Sequence, residues 1–163
     1  MIIGRGSLAK LLKNREGAIF FCSGVGNSQC TSEYEFDKEI TEIKHISYRT
    51  ISTCFFYFSS IVKQKTQYGL HKQRMESLVK DSFNNYNIIR IGNIWECTNP
   101  NTFLNYLKDH PEAPIRDEIK YMIHADQLNM ICQSLPLIGR NEISIFDEML
   151  TVEECLKRSQ STR

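Results

Sequence analysis

The sequence predicts an α/β fold in which helices flank a mainly parallel β-sheet. Two observations predict it: apolar runs alternate with helical patterns, and a glycine-rich turn follows the first run. Strands that are joined through helices need crossover connections, which make neighbouring strands parallel. The predicted strands lie at residues 1–4, 18–22, 51–58 and 86–91, and the predicted helices between them at 7–15, 35–49 and 68–83.

Local patterns support the individual elements. The run 18–22 is apolar throughout, as expected of a strand that is covered on both faces. Ser32 and Glu35 have the spacing of a capping box, which predicts a helix start, and Ile40 and Ile43 lie on the apolar face of that helix. The helix at 68–83 has its own apolar stripe, formed by Met75, Leu78, Val79 and Phe83.

The last third of the chain predicts shorter elements. They are a helix at 103–108 capped by Thr102, a strand at 119–124, a helix at 127–135, a strand at 143–146 and a final helix after the capping pair Thr151 and Glu154. No repeat or low-complexity linker separates them from the rest. We therefore expect a single domain, 1–163, with a core at 1–95 and an extension at 96–163 that packs on the carboxyl edge of the sheet.

Composition indicates an ordinary globular protein. The 163 residues carry a net charge of +1, with 41% hydrophobic residues, so the charge balance does not point to nucleic acid. No apolar run approaches the roughly 20 residues needed to cross a bilayer, and the apolar start is too short for a signal peptide. The six cysteines have no metal-ligand spacing. We expect reduced thiols, no metal and a cytoplasmic protein.

The glycine-rich turn is the first motif that indicates chemistry. Residues 4–9 read G-x-G-x-x-A, directly after a predicted strand and at the start of a predicted helix. Gly4 and Gly6 would let the backbone turn tightly and approach a pyrophosphate, and Ala9 completes the motif. This context predicts a reduced Rossmann-like fold with a dinucleotide site. The alternative, a plain strand-to-helix turn that needs glycine, stays open.

A Y-x-x-x-K pair is the second motif. Tyr68 and Lys72 are four residues apart on a predicted helix, so they share a face. A nearby lysine ammonium, together with a cofactor ribose, can lower the tyrosine pKa, which suits the phenol to exchange a proton with a substrate hydroxyl or carbonyl. We expect His71, beside Lys72 in the chain, to face outward.

The residues around this pair extend the pattern. The preceding strand ends in Ser59 and Ser60, Glu76 follows Lys72 by four residues, and the next strand ends in an R-x-G-N sequence that contains Arg90 and Asn93. This succession resembles the extended short-chain dehydrogenases, the NAD-dependent epimerases and dehydratases of nucleotide sugars. The resemblance runs over most of the chain.

The resemblance implies a role for each matching residue. Tyr68 would be the catalytic acid or base, Lys72 would bind the cofactor ribose and tune Tyr68, and Ser60, in preference to Ser59, would hydrogen-bond the reacting oxygen. The implied cofactor is NAD or NADP, bound by Gly4, Gly6, Ala9, Gly24, Asn27 and Lys72, and the implied substrate-binding residues are Arg90 and Asn93.

Three features depart from the family pattern. The family has two further strands after the glycine-rich helix, one of which grips the adenosine ribose, whereas here the helix leads directly to 18–22. Only seven residues separate Ser60 from Tyr68, fewer than the family uses. Basic residues for a nucleoside diphosphate are few, namely Arg90, Arg116, Lys120 and Arg140.

Two hypotheses about function remain. The first is an NAD(P)-dependent epimerase, reductase or dehydratase that acts on a nucleotide-activated sugar in surface polysaccharide biosynthesis. The second is a catalytically degenerate binding or regulatory protein, which the missing adenosine-side strands favour. Family members dimerise through the helices that correspond to 35–49 and 68–83, so we also expect a homodimer that buries their apolar stripes.

Overall fold

The computed structural model describes residues 1–49, 53–61, 65–99, 102–110 and 118–161. In chain order its strands are β1 (Ile2–Ile3), β2 (Ala18–Phe21), β3 (Cys54–Ser60), β4 (Tyr86–Ile91), β5 (Asn93–Ile94), β6 (Ile119–Ile123), β7 (Arg140–Ile145) and β8 (Glu148–Thr151). Its helices are α1 (Ser7–Leu11), α2 (Glu33–Ser47), α3 (Gln67–Ser82), α4 (Phe103–Asp109), α5 (Ala125–Ser134) and α6 (Val152–Ser161).

The main sheet is parallel and has five strands in the order β1-β2-β3-β4-β7. A smaller sheet, ordered β5-β6-β8, lies beyond the carboxyl end of β4 and pairs β6 with β8 antiparallel. The predicted α/β class with a mainly parallel sheet is therefore confirmed. The division at residue 95 stays a prediction, and the sequence beyond it supplies both β7 and most of the smaller sheet.

Most predicted elements are present, with shifted ends. The strand predicted at 51–58 begins at Cys54 within the described residues, and 51–52 lie outside them, as do Arg116 and the loop around Pro111 and Pro114. Side chains cap α2, α3 and α4 at Ser32, Thr66 and Thr102. The sequence interpretation missed β5 and β8 because strands of two and four residues show too little alternation.

The helix predicted at 7–15 is shorter, and a side chain from α5 explains why. The structure ends α1 at Leu11, and Leu12 is extended. Asn129 of α5 donates to the Leu11 carbonyl at 2.5 Å and accepts from the Lys13 N–H at 2.9 Å. These groups would otherwise bond within a continuing helix, so a tertiary contact replaces the last turn.

The core has two halves, one on each face of the main sheet. Alternate side chains such as Phe20 and Phe56, whose ring centroids are 4.7 Å apart, pack with α1 and α5. The intervening side chains, including Phe55, pack with α2 and α3, where the Phe55 and Phe83 rings stack at 4.0 Å. The stripe residues of α2 and α3 are buried against this sheet, so they are not available to a dimer interface as the sequence interpretation expected.

The direct link from α1 to β2 has a topological consequence. Helix α1 connects β1 to β2, and helix α2 connects β2 to β3. Both connections lead to the next strand in the same direction across the sheet, yet the two helices lie on opposite faces of it. The two crossovers therefore have opposite hand, and one of them is of the rare left-handed type. Only residues 12–17 join α1 to β2, which leaves no room there for further strands.

Strand β1 lies at the edge of the sheet. It pairs with β2, and within the described ranges no strand pairs with its outer side. A doubly wound sheet binds the two halves of a dinucleotide at the point where its strand order reverses. The strand order here contains no such reversal at β1. In the same described ranges, no helix is both long and apolar enough for a bilayer span.

Candidate active-site cleft

A cleft of about 430 Å³ opens where the first four strands end. Its walls are the segments that follow β1, β2, β3 and β4, and residues of the smaller sheet close its far side. Because parallel strands present their carboxyl ends at one edge, residues from four distant parts of the sequence meet there. Six of the predicted site residues line this cleft: Gly6, Gly24, Ser60, Tyr68, Lys72 and Asn93.

The two glycines of the first turn have different roles. Gly4 has φ of +120°, and a Cβ there would lie 2.6 Å from the carbonyl carbon and oxygen of Cys22. Glycine at this position is therefore required by the fold. Gly6 lies before α1, where a Cβ would meet no atom within 4 Å, and its backbone lines the cleft. Open space beside Gly6 is compatible with a ligand that approaches the backbone closely.

Two other predicted cofactor-binding residues do not line the cleft. Ala9 is half-buried on α1, away from the cleft wall. Asn27 lies in the loop after β2, and its side-chain oxygen accepts from the Gln29 N–H at 3.0 Å, which stabilises a local turn. Its neighbours Gly26 and Ser28 line the cleft instead.

Arg90 does not reach the cleft either, because two carboxylates hold it elsewhere. Its guanidinium donates to Glu76 at 2.9 and 2.5 Å and to Glu142 at 2.7 Å. The hydrogen bonds with Glu76, followed by those with Glu142, raise the pKa of Arg90. It lines a separate chamber of about 140 Å³ behind Ser60. Arg90 is thus held in an ion pair that gives Glu76 of the extended motif a partner, and a substrate-binding role for Arg90 stays a prediction.

The rest of the R-x-G-N sequence joins the two sheets. A Cβ on Gly92 would lie 2.1 Å from the Tyr121 carbonyl oxygen, so glycine permits β4 to approach the smaller sheet closely. Asn93 donates to the same oxygen at 3.4 Å and also lines the cleft. A binding role for Asn93 stays a prediction.

Lys120 is the basic residue of the smaller sheet that lines the cleft. Its ammonium pairs with Glu118 at 2.7 Å and lies 5.2 Å from the centroid of the Phe103 ring. Arg140, the other described candidate from the tail, begins β7 at the amino-terminal edge of the sheet, opposite Tyr86. It is therefore remote from the cleft.

A buried carboxylate lies directly beneath the cleft floor. Glu39 accepts hydrogen bonds from the Val25 N–H at 2.8 Å, the Tyr57 hydroxyl at 2.9 Å and the Lys72 ammonium at 3.3 Å. It also pairs with His71 Nε2 at 2.9 Å. Burial alone would raise its pKa, but the bond with His71, the charge of Lys72 and the other donors hold the pKa of Glu39 at about 2. Glu39 is therefore ionised at neutral pH.

His71 is buried, contrary to the expectation that it faces outward. Its ring stacks on Phe36 at 4.2 Å and contributes to the Glu39 cluster. The sequence interpretation missed Glu39, although a signal was present. Glu39 is three residues after Phe36 and four before Ile43, so it occupies the apolar face of α2.

Tyr68 and Lys72 lie close together, but the Lys72 ammonium is bonded to other groups. The Lys72 ammonium is 5.7 Å from the centroid of the Tyr68 ring and donates instead to Tyr57 at 3.1 Å and to Glu39. Burial, followed by the negative charge of Glu39, raises the pKa of Tyr68 to about 12. The groups of the chain alone therefore do not lower the tyrosine pKa, and Tyr68 holds its proton at neutral pH; lowering by Lys72 together with a cofactor ribose stays a prediction.

Both serines at the end of β3 line the cleft. Ser59 is buried, and its hydroxyl has no hydrogen-bond partner among the described residues. Ser60 is half-buried beside it. A buried hydroxyl without a partner is costly, so Ser59 is a second candidate to bind a ligand oxygen.

Solved structures show what this architecture is similar to. No family model matches the sequence, and no curated protein is similar to it in sequence. The fold is similar to dTDP-4-dehydrorhamnose reductase from Bacillus anthracis, solved with NADP, at 16% identity and a TM-score of 0.68, over 89% of this chain and 62% of the reductase.

Two further enzymes have the same fold. UDP-glucuronic acid 4-epimerase from Bacillus cereus, solved with NAD and a UDP-sugar, is 13% identical with a TM-score of 0.64, over 94% of this chain and 61% of the epimerase. The dTDP-glucose 4,6-dehydratase from Bacillus anthracis, solved with NAD, is 10% identical with a TM-score of 0.62, over 88% of this chain and 56% of the dehydratase. At these identities the likeness is one of fold alone: the chain has the mainly parallel α/β architecture that these three enzymes share.

These comparisons also limit what the fold implies. The chain spans 56% to 62% of the length of the three enzymes. They catalyse a reduction, an epimerisation and a dehydration, so the shared fold does not determine the reaction. The function of this chain therefore depends on the residues of its cleft.

We expect Glu39→Gln to lower the free energy of unfolding by about 3 kcal/mol at neutral pH, because it leaves the Lys72 ammonium buried without its carboxylate. Urea denaturation measures the difference. Glu35→Gln, an exposed change on the same helix, is the control and should stay within about 0.5 kcal/mol of the parent protein.

The difference in the free energy of unfolding between the parent protein and Glu39→Gln should depend on pH. The pKa of Glu39 is held at about 2, below its ordinary value of 4.5, so its stabilisation is complete above pH 4.5 and is lost as the pH falls through 2. The gap between the parent protein and Glu39→Gln should shrink over this acid range. A gap that stays constant into strong acid would contradict the ionised pair.

Proposed function

We propose that this chain binds the nicotinamide side of NAD or NADP in the cleft and acts on a nucleotide-activated sugar as a reductase, epimerase or dehydratase. The observation that carries the proposal is the convergence of Gly6, Ser60, Tyr68 and Lys72 on one cleft at the carboxyl ends of parallel strands. Surface polysaccharide biosynthesis is the proposed context. A cytoplasmic location is part of the proposal, and six unpaired cysteines support it.

The cleft fits one half of the cofactor. Gly6 offers backbone beside open space at the start of α1, where a phosphate would be stabilised by N–H groups. The Lys72 ammonium has three N–H donors and uses two on Glu39 and Tyr57, so one is left for a ribose hydroxyl in the cleft. These residues would hold the nicotinamide ribose and the adjoining phosphate.

The adenosine half has no matching site within the described residues. In a doubly wound sheet it lies on strands beyond β1, and here β1 is the edge strand with no paired neighbour on its outer side in the described ranges. The proposed cofactor would therefore be held by its nicotinamide mononucleotide portion, with the adenosine exposed to solvent.

Tyr68 and the two serines are the groups of the cleft that would exchange a proton or hydrogen-bond with a sugar oxygen. When bound, the cofactor would supply or accept a hydride. Tyr68, whose pKa is about 12, would donate its phenolic proton to a carbonyl oxygen of the sugar as that oxygen gains negative charge. Ser60 would hydrogen-bond the same oxygen, and Ser59 has an unpaired hydroxyl beside it.

The second candidate is a binding or regulatory protein without turnover. The ion pair between Lys72 and Glu39 favours it, because a lysine whose charge is compensated in this way does not activate Tyr68. The absence of an adenosine site in the described sheet also favours it. Both candidates predict a ligand in the cleft, and they differ in whether Tyr68 does chemistry.

Calorimetric titration tests the proposed cofactor site. We expect NADH, NADPH and reduced nicotinamide mononucleotide to bind with dissociation constants within about tenfold of one another, because the adenosine half gains few contacts. An affinity for NADH about a hundredfold above that for the mononucleotide would contradict the half-site. Binding of none of the three, with or without UDP- and dTDP-sugars, would overturn the proposed cofactor.

Tyr68→Phe tests the chemistry. It should lower turnover of a nucleotide sugar by at least about 100-fold, because it removes the proton donor while keeping the ring. Stopped-flow absorbance of the reduced cofactor follows the reaction. Tyr106→Phe, at an exposed position on α4, is the matched control and should leave turnover unchanged. Unchanged turnover in Tyr68→Phe would show that the assigned role is wrong.

A homodimer through α2 and α3 is the proposed assembly. Their apolar stripes face the sheet, so the interface would use outer residues such as Tyr34, which is 74% exposed, and Leu70, which is 59% exposed. We expect a dimer by light scattering at micromolar concentration, and a shift towards monomer in Leu70→Glu with unchanged helical content. A monomeric parent protein at that concentration would contradict the proposal.

A further inference from the structure

The carboxylate of Glu39 connects three parts of the cleft that the sequence keeps apart. Its Oε1 accepts from Tyr57 of β3 and Lys72 of α3, and its Oε2 accepts from the Val25 N–H in the loop after β2. Only 1% of its side chain is exposed. A buried carboxylate with this many donors is held in one position.

We propose that Glu39 is a positioning residue that keeps the Lys72 ammonium charged and fixed at the floor of the cleft, with one N–H directed to a ligand. The ligand part of this inference rests on the proposed function. The effect on Lys72 rests on the contacts within the chain alone.

The surroundings of Lys72 explain why it needs this carboxylate. Its side chain is buried, and burial alone disfavours the charged form of an amine. The groups that face it are the Glu39 carboxylate from α2, the Tyr57 hydroxyl from β3 and, on its own helix, the Tyr68 ring and the more distant Glu76. Among these, Glu39 is the carboxylate in hydrogen-bond contact, so it provides the main stabilisation of the positive charge.

Gly24 shows how closely the loop fits over this pair. A Cβ at Gly24 would lie 2.5 Å from Glu39 Oε1 and 3.2 Å from Lys72 Nζ. Glycine lets the loop close on the ion pair, and the Val25 N–H then bonds to the carboxylate. The Glu39 side chain thus fixes both the loop that forms the cleft wall and the Lys72 ammonium at the cleft floor.

Direct titration of Lys72 tests the inference without a ligand. Protein labelled with ¹⁵N-lysine would be titrated by NMR, and the Lys72 signal assigned by its loss in Lys72→Arg. We expect the midpoint of Lys72 in Glu39→Gln to fall by at least about one pH unit, and Glu35→Gln to leave it unchanged. Glu39→Asp, which keeps the charge, should lie between them and provides a folded variant if the Gln form is unstable. Unchanged midpoints in both Glu39 variants would overturn the inference.

Titration with NADH at several pH values tests the part of the inference that concerns a ligand. In Glu39→Gln the affinity for NADH should begin to fall at a lower pH than in the parent protein and in Glu35→Gln, because Lys72 loses its proton earlier without the Glu39 carboxylate. A merely structural role for Glu39 would lower stability without this change in the pH profile. If the Lys72 midpoint shifts but the parent does not bind NADH, the positioning role stands and the proposed cofactor is wrong. If NADH binds and the Glu39→Gln profile follows that of the parent, the ligand part of the inference is overturned.

Discussion

The buried ion pair between Glu39 and Lys72 is the interaction on which the cleft depends. It joins helix α2 to helix α3, and through Tyr57 and Val25 it also fixes strand β3 and the loop after β2. Helix α3, strand β3 and this loop contribute to the cleft wall or floor, and α2 supplies the carboxylate beneath them. A buried charge that is satisfied on all sides permits few alternative arrangements, so the pair determines the geometry of the site more than it adds to stability.

The direct connection from α1 to β2 is the second constraint, and it acts on the other side of the cleft. It places β1 at the sheet edge and requires crossovers of opposite hand around β2. Asn129 replaces the last turn of α1 with side-chain hydrogen bonds, which shortens the path back to β2. The mononucleotide halves of a doubly wound sheet are separate βαβαβ units, so one half can be absent while the other keeps its geometry.

The sequence predicted the fold well because strand and helix periodicity are local properties. It predicted the members of the cleft where a motif fixed them, as for Gly6, Tyr68 and Lys72, since strand ends converge in any parallel sheet. It failed where a partner came from a distant element. Arg90 matched a motif but is held by Glu142 from β7, and α1 stopped early because of a residue in α5. Such contacts have no local signal in the sequence.

The electrostatics of the cleft explain why the groups of the chain alone raise the pKa of Tyr68. A Y-x-x-x-K pair lowers the phenol pKa only when the lysine charge is not compensated nearby. Here the Glu39 carboxylate lies 3.3 Å from the Lys72 ammonium and compensates its charge, and burial followed by the negative charge of Glu39 raises the pKa of Tyr68. The carboxylate that holds Lys72 in place therefore also keeps the phenol of Tyr68 protonated, and proton transfer by Tyr68 in the proposed reaction depends on how far bound ligand groups offset that effect.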